Sequence, residues 1–174
     1  MSYKLNLGCG NKQIEGFIGV DRFFCKGVDI IADIENLPFK ESIIDEVLLD
    51  NVIEHILDIS KAMQEIYRIT KNNSLVKIRT PHFTSLSSWR DPTHVHHFSY
   101  FSIDYFIKES TSHYIGVKFK LVHRELNFGG IWSLIGKMIF LLSPKIFEKY
   151  FCFIFRAGTL TFKIRTVKED NSGF

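Results

Sequence analysis

"KLNLGCGNKQIEGFIGVD", residues Lys4 to Asp21, decides how the chain is read. An apolar run from Lys4 to Leu7 stops at Gly8-Cys9-Gly10. A second run, Gly16 to Val20, stops at Asp21. Short apolar runs bounded by glycine or a polar residue mark strands buried in a parallel sheet. Two more lie downstream: Asp29 to Ala32, ahead of Asp33, and Asp45 to Leu49, ahead of Asp50. In parallel sheets ligands sit at the carboxyl ends of the strands. The two glycines, Asp21, Asp33 and Asp50 are therefore expected along one edge of one sheet.

After the fourth run the period changes. Ile59, Ala62, Met63, Ile66 and Ile69 repeat at helical spacing behind the N-cap candidate Asp58, and Asn72-Asn73 is the expected helix stop. Ser74 to Pro81 reads as a fifth strand. Residues 82–101, polar, aromatic and rich in histidine, read as a long ordered loop. Ser102 is a cap candidate for a short helix. Val117 to Leu126 and Thr159 to Lys168 alternate as strands, and the apolar stretch Ile131 to Phe155 is broken at Ser143-Pro144.

Strands alternating with helices give an α/β, Rossmann-like fold with a mainly parallel sheet, helices on both faces and an antiparallel last strand. With 174 residues, 45% of them hydrophobic, one domain spanning 1–174 is expected, with an apolar helical insertion at about 130–156. A formal net charge of +3 from scattered basic residues does not indicate a nucleic-acid surface. Cys9, Cys25 and Cys152 are odd in number and widely spaced. With no signal-peptide pattern at the N-terminus, they point to a reducing, cytoplasmic setting.

The ligand is narrowed by what the strand ends lack. No Lys-Ser or Lys-Thr comes after the glycines, as a phosphate loop requires. Gln13 stands where a dinucleotide site has its third glycine, and Asp21 comes well before the usual spacing of about 20 residues. The first crossover is thus expected to be very short, little more than a turn. A nucleoside ligand without phosphates relaxes these demands. It needs close backbone approach at Gly8 and Gly10, a carboxylate for ribose hydroxyls at Asp21, and an acceptor for an adenine amine at Asp33.

These residues, together with "ADIENLPF" and "IDEVLLDNVIEHILDISKAMQEIYRITKNNS", resemble the class I S-adenosylmethionine-dependent methyltransferases. The similarity is greatest to small prokaryotic members associated with glycan and cell-surface biosynthesis. It runs from the first strand to the fifth and resumes in "DPTHVHHFS" and "GTLTFKIRTVK". It implies S-adenosylmethionine as cofactor. Leu7, Gly8, Cys9 and Gly10 would face its methionine moiety, and Asp21 with Arg22 its ribose. Asp33 and Ile34 would frame the adenine, and Asp50 and Asn51 would line the floor near the sulfonium. The missing third glycine and the shortened first helix depart from the family pattern.

The His-rich loop leaves three readings open: a metal site, structural packing, or a proton acceptor for a hydroxyl substrate. For the last, His94 and His97 are the candidates, with His82 beside the fifth strand and Asp91 as orienting carboxylate. Glu54-His55 reads as either capping or catalytic. No metal ligand set is assigned, because H-x-H-H has no firm metal spacing. The expected activity is O-methylation of a small-molecule or glycan-type acceptor. The alternatives are a non-catalytic nucleoside- or partner-binding module and a dinucleotide-dependent oxidoreductase. The segment 131–155 is too short and too often charged to span a membrane. An apolar face there would serve a homodimer or a membrane surface.

Overall fold

Seven strands form one sheet in the computed structural model, which describes residues 2–129 and 133–168. They are β1 (Lys4–Leu7), β2 (Ile18–Asp21), β3 (Ile30–Ile31), β4 (Ile44–Asp50), β5 (Thr70–Pro81), β6 (Phe119–Leu126) and β7 (Thr159–Thr166). Their lateral order is β3-β2-β1-β4-β5-β7-β6. The first five pair in parallel, and β7 is antiparallel to both β5 and β6. The last strand alone runs against the rest, as expected. The strand order reverses between β1 and β4, where open α/β sheets bind ligands.

No helix joins β1 to β2 or β2 to β3. Backbone packs on backbone there instead. A Cβ on Gly19 would stand 1.9 Å from the Gly27 carbonyl oxygen, and one on Gly27 would stand 2.8 Å from that of Gly10. Asp29 locks the stack. Its carboxylate accepts the Gly19 N–H at 2.7 Å, and its own N–H donates to the Gly19 carbonyl at 2.8 Å.

The helix layer is correspondingly uneven. Val47 and Leu49 of β4, Val76 and Ile78 of β5, and Leu160, Phe162 and Ile164 of β7 are buried on one face. The alternate residues, among them Glu46, Asp50, Lys77, Arg79 and Lys163, line an open polar hollow of about 650 Å³. Among the described residues none from a helix lines it; Lys12, Ile14 and Phe17 of the β1–β2 connection border it. The sheet is Rossmann-like in order and direction, but this face is solvated, because the crossovers that would carry helices across it are too short.

Helix α1 (Ile59–Ile69) starts at Asp58, whose carboxylate accepts the Lys61 N–H, and buries Ala62, Met63, Ile66 and Ile69. It ends short of the Asn pair expected to stop it. Thr70 takes the C-cap position, its hydroxyl donating to the Ile66 carbonyl at 2.7 Å, and opens β5 at once. The pairing then jumps from Ile44↔Thr70 to Glu46↔Leu75. Asn73, with φ of 66°, serves the resulting bulge rather than a helix end.

Three short helices separate β5 from β6: α2 (Leu86–Arg90), α3 (Asp104–Ile107) and α4 (Glu109–Ile115). The loop of 82–101 thus contains one helix that the sequence pattern did not reveal. Ser102 does not cap α3; its hydroxyl accepts the Ser99 N–H at 2.9 Å. Between β6 and β7 stand α5 (Ser133–Leu142), α6 (Pro144–Ile146) and a π-helical turn, Phe147–Phe151. The break falls at Ser143, whose hydroxyl accepts the Ile146 N–H. Phe147 is fully buried among Phe128 and Phe140. Leu134, Met138, Leu141, Leu142, Phe153 and Ile154 remain exposed. Ile131 and Trp132 lie outside the described residues. Among the described residues no helix is long and apolar enough to cross a membrane.

Arg124 of β6 ties this region together. It bonds the Asp104 carboxylate, donates to the Tyr100 carbonyl at 2.9 Å, and lies 4.8 Å above the Tyr100 ring. Burial works to raise the Asp104 pKa, but Lys108 and Arg124 outweigh it and hold the carboxyl below its ordinary value. Stability from such a group is present above the unfolded pKa of about 3.9 and lost as pH falls through the folded value. Asp104→Asn is therefore expected to lower the urea midpoint at pH 7. The difference from the parent should shrink steadily below about pH 4.

Candidate functional site

The carboxyl ends of β1, β2 and β4 open on a cavity of about 620 Å³. Gly8, Asp21, Arg22, Asp33, Ile34 and Asn51 line it, together with Phe23, Ala32, Glu35, Val52, His55, Ile56, Leu57 and Thr93. Gly8 sits at φ of 66°, and a Cβ there would lie 2.5 Å from a methyl carbon of Val52. Only glycine lets the chain turn at this point and leave the space above it open.

Asp21 is fixed by backbone donors. Gly10 N–H reaches Oδ2 at 2.9 Å and Phe23 N–H reaches Oδ1 at 3.0 Å. An ionised carboxylate has about four acceptor sites, so lone pairs remain for the cavity it lines. Asp33 turns the chain in a similar way, its Oδ1 accepting the Glu35 N–H at 2.9 Å. Phe23 and Leu57 are 67% and 76% exposed on the cavity walls, apolar surface that a ligand there would cover.

Other members of the expected set face elsewhere. Leu7 is fully buried in β1. Cys9 is buried with Sγ 3.2 Å from the Gly27 carbonyl oxygen, and burial, then Asp21, push its thiol pKa up. Gly10 contributes its N–H to Asp21 and does not line the cavity. Asp50 turns to the solvated face of the sheet, held by Lys12 at 2.5 Å and Arg79 at 3.2 Å. Burial alone would raise its pKa; the two cations overcome that and hold it below the usual carboxylate value.

A second hollow of about 580 Å³ adjoins the first, sharing Asn51 and His55. Glu54, Pro81, Ser87, Arg90, Asp91, Pro92 and His94 complete its lining. A 3-10 turn, Ile53–His55, comes directly after β4. The Glu54 carbonyl accepts the N–H groups of Val95 and His96 at 3.0 and 3.2 Å. This pulls the His-rich loop onto the turn and brings the His94 ring 4.5 Å from that of His55, at an interplanar angle of 71°. Glu54 itself is buried; Thr80 donates to its Oε2 at 3.0 Å, and burial pushes its carboxyl pKa up against the pull of its own backbone N–H, then of Thr80, His55 and His94.

His82, His96 and His97 line neither hollow. His97 stacks on Trp89 at 3.7 Å and bonds the Ser88 hydroxyl at 2.8 Å. His82 is fully buried between Thr84 at 2.8 Å and Glu148 at 3.1 Å, joining β5 to the helical insertion. Asp91 meets His94 through backbone, its carbonyl accepting the His94 N–H at 3.3 Å, while its carboxylate is engaged elsewhere. It accepts the Thr93 hydroxyl at 2.7 Å, and Thr93 bonds His55 Nδ1 at 2.9 Å. Glu54 and His55 carried a positional signal, since they come just after the fourth strand. Phe23, Leu57 and Thr93 carried none, because loop folding alone brings them to the walls.

Residues 18–78 match a family model described as a methyltransferase domain. No curated protein matches the chain in sequence. Among solved structures, the YcgJ protein from Bacillus subtilis is similar at a TM-score of 0.63 and 15% identity, over 97% of this chain and 93% of that one. An S-adenosylmethionine-dependent methyltransferase from Archaeoglobus fulgidus gives 0.60 and 20%, over 95% and 86%. The [4+2]-cyclase SpnF gives 0.62 and 12%, over 97% and 76%. The chain thus shares its fold with these structures, one of which is named an S-adenosylmethionine-dependent methyltransferase. The glycine turn at Gly8 and the carboxylate of Asp21 offer this cavity what a nucleoside ligand needs.

Gly8→Ala is expected to lower both thermal stability and affinity for S-adenosylhomocysteine, since it meets a positive φ and a stiff Val52 together. Val52→Ala in the same chain removes the two nearest methyl groups and should restore part of the stability. Scanning calorimetry on the single and double variants measures both effects.

Proposed function

We propose that the chain transfers a methyl group from S-adenosylmethionine to a hydroxyl of a small-molecule or glycan-type acceptor. The observation that carries this reading is that two adjoining hollows share Asn51 and His55 in their linings. One has the carboxylate and glycine turn that suit a nucleoside. The other has imidazoles that suit an acidic proton. When bound, S-adenosylmethionine supplies an electrophilic methyl with a neutral thioether as leaving group.

Asp21 takes the ribose hydroxyls, and Arg22 flanks them. Asp33 and Ile34 meet the adenine. Gly8 and Asn51 border the methionine end, beside the passage to the second hollow. The acceptor enters by that hollow, and His94 stands where its proton must go. Much of the remaining work is placement, because holding nucleophile and methyl in near-attack geometry lowers the barrier without further chemistry. Trp89, 63% exposed and fixed by its Nε1–H to the Phe83 carbonyl at 2.7 Å, carries His97 on one ring face and offers a flat apolar surface on the same loop. Such a surface favours a sugar or aromatic ring among acceptors.

Asp21→Ala should weaken S-adenosylmethionine binding by about 1.5–3 kcal/mol, the range for hydrogen bonds to a charged group. Isothermal titration with S-adenosylmethionine and S-adenosylhomocysteine measures it; no binding of either by the parent would remove the proposal. His94→Ala should cut turnover on a true acceptor by about 10²–10⁴, with cofactor affinity nearly constant. Screening hydroxyl acceptors for methyl uptake tests the acceptor class, and uptake only on nitrogen would overturn the O-methylation reading.

A further inference from the structure

We infer that Glu54, His55 and His94 form a site for a divalent first-row transition-metal ion, in the wall between the cofactor cavity and the acceptor hollow. Each residue brings a potential ligand atom to within 4.8 Å of the other two. Bonds of about 2.0–2.1 Å to nitrogen and carboxylate oxygen draw such atoms closer still, so side-chain tips need close by only about an ångström.

Proximity is the weaker part of the case. The stronger part is an oxygen left open. Glu54 is 1% exposed, and while its Oε2 accepts the Thr80 hydroxyl, its buried Oε1 has no hydrogen-bond partner. A buried polar atom without a partner is costly, and an absent ion is one of its standard explanations.

The imidazoles are prepared in the same sense. The Thr93 hydroxyl spends its one proton on Asp91. It therefore accepts from His55, which makes Nδ1 the protonated nitrogen there. His94 faces the Ser88 carbonyl through Nδ1 at 3.1 Å, and a carbonyl can only accept. Both rings thus carry hydrogen on Nδ1 and keep the Nε2 lone pair. Metal-bound histidines show this arrangement, in which an outer oxygen fixes the tautomer and raises ligand basicity. Thr80, Thr93 with Asp91, and Ser88 form that outer layer. Two imidazoles and one carboxylate with open positions suit zinc, iron(II) or manganese better than magnesium, which prefers oxygen ligands and water. H-x-H-H spacing plays no part: His96 bonds the Leu57 carbonyl and His97 stacks on Trp89.

Resting on the methyl-transfer reading, the ion would accept the acceptor's oxygen in an open position and lower the pKa of its hydroxyl. Metal binding itself does not depend on that reading.

The test uses the full chain, stripped with a chelator and dialysed. Titration with Zn²⁺, and with Co²⁺ monitored by visible absorption, should give one ion per chain. Glu54→Gln, His55→Ala and His94→Ala should each weaken it by at least about 10–100-fold, the effect of disturbing even an outer-shell partner. His96→Ala should bind as the parent does. Circular dichroism confirms folding of each variant. Should Glu54→Gln fail to fold, the two histidine variants decide. The inference is overturned if the parent binds no stoichiometric ion, or if His55→Ala and His94→Ala bind as well as the parent. If chelated, metal-free protein methylates at the full rate, the ion's part in methyl transfer is overturned and the binding arms alone decide the site. In that case methyl transfer stands with His94 as a simple base. A stoichiometric ion lost in these variants, in a protein that shows no turnover, supports the site while counting against the methyl-transfer reading.

Discussion

Backbone packed directly on backbone at Gly19 and Gly27 is the contact on which the ligand edge of this sheet depends. The 1.9 Å that would separate a Gly19 Cβ from the Gly27 carbonyl leaves no room for any side chain. Because the loop after β2 can fold this closely under β1 and β2, the chain passes between them without a crossover helix. Asp29 then pins Gly19 from both its N–H and its carbonyl. Asp21, two residues on, is held at the strand end, where it accepts the Gly10 N–H. The glycine turn and the Asp21 carboxylate are one hydrogen-bonded unit.

The same economy leaves a face of the sheet solvated. With no helices over β1 and β2, the outward positions of β4, β5 and β7 are mostly charged or polar, and they pair with one another and with lysines of β1 and the connection after it. Lys12 and Arg79 share Asp50, and Lys4 meets Glu46 at 2.8 Å. The core is accordingly concentrated on the opposite face, where α1 lies, and much of the second hollow is lined from the loop after β5. There the Glu54 carbonyl gathers the His-rich loop, while the buried His82–Glu148 pair fastens the start of that loop to the insertion.

Much of this was legible in the sequence. Each strand was marked by an apolar run and an abrupt stop, and period-2 alternation marked β7. The brevity of the segment from Gly8 to Asp21 announced a crossover with no room for a helix. The wet face that results was not read from the sequence, although Lys77, Arg79 and Lys163 alternate there with residues that the structure buries. Gly8 and Asp21 were legible for a local reason, since the residue that ends a parallel strand is confined to the ligand edge.

Which way a strand-end side chain turns is not a local property. Asp50 and Asn51 are neighbours, yet Asp50 is drawn to Lys12 and Arg79 while Asn51, at a positive φ of 56°, faces the cavity. The histidines at positions 82, 94, 96 and 97 look equivalent in one polar loop. Only long-range contacts separate them: His82 by its burial against Glu148, His97 by Trp89, His94 by the ring of His55 from the turn after β4. The sequence by itself determined the sheet and the strand ends, because periodicity, glycine and short connections act within a few residues. The tertiary structure decided which imidazoles and which carboxylate meet, because that depends on where the Glu54 carbonyl finds its two N–H partners.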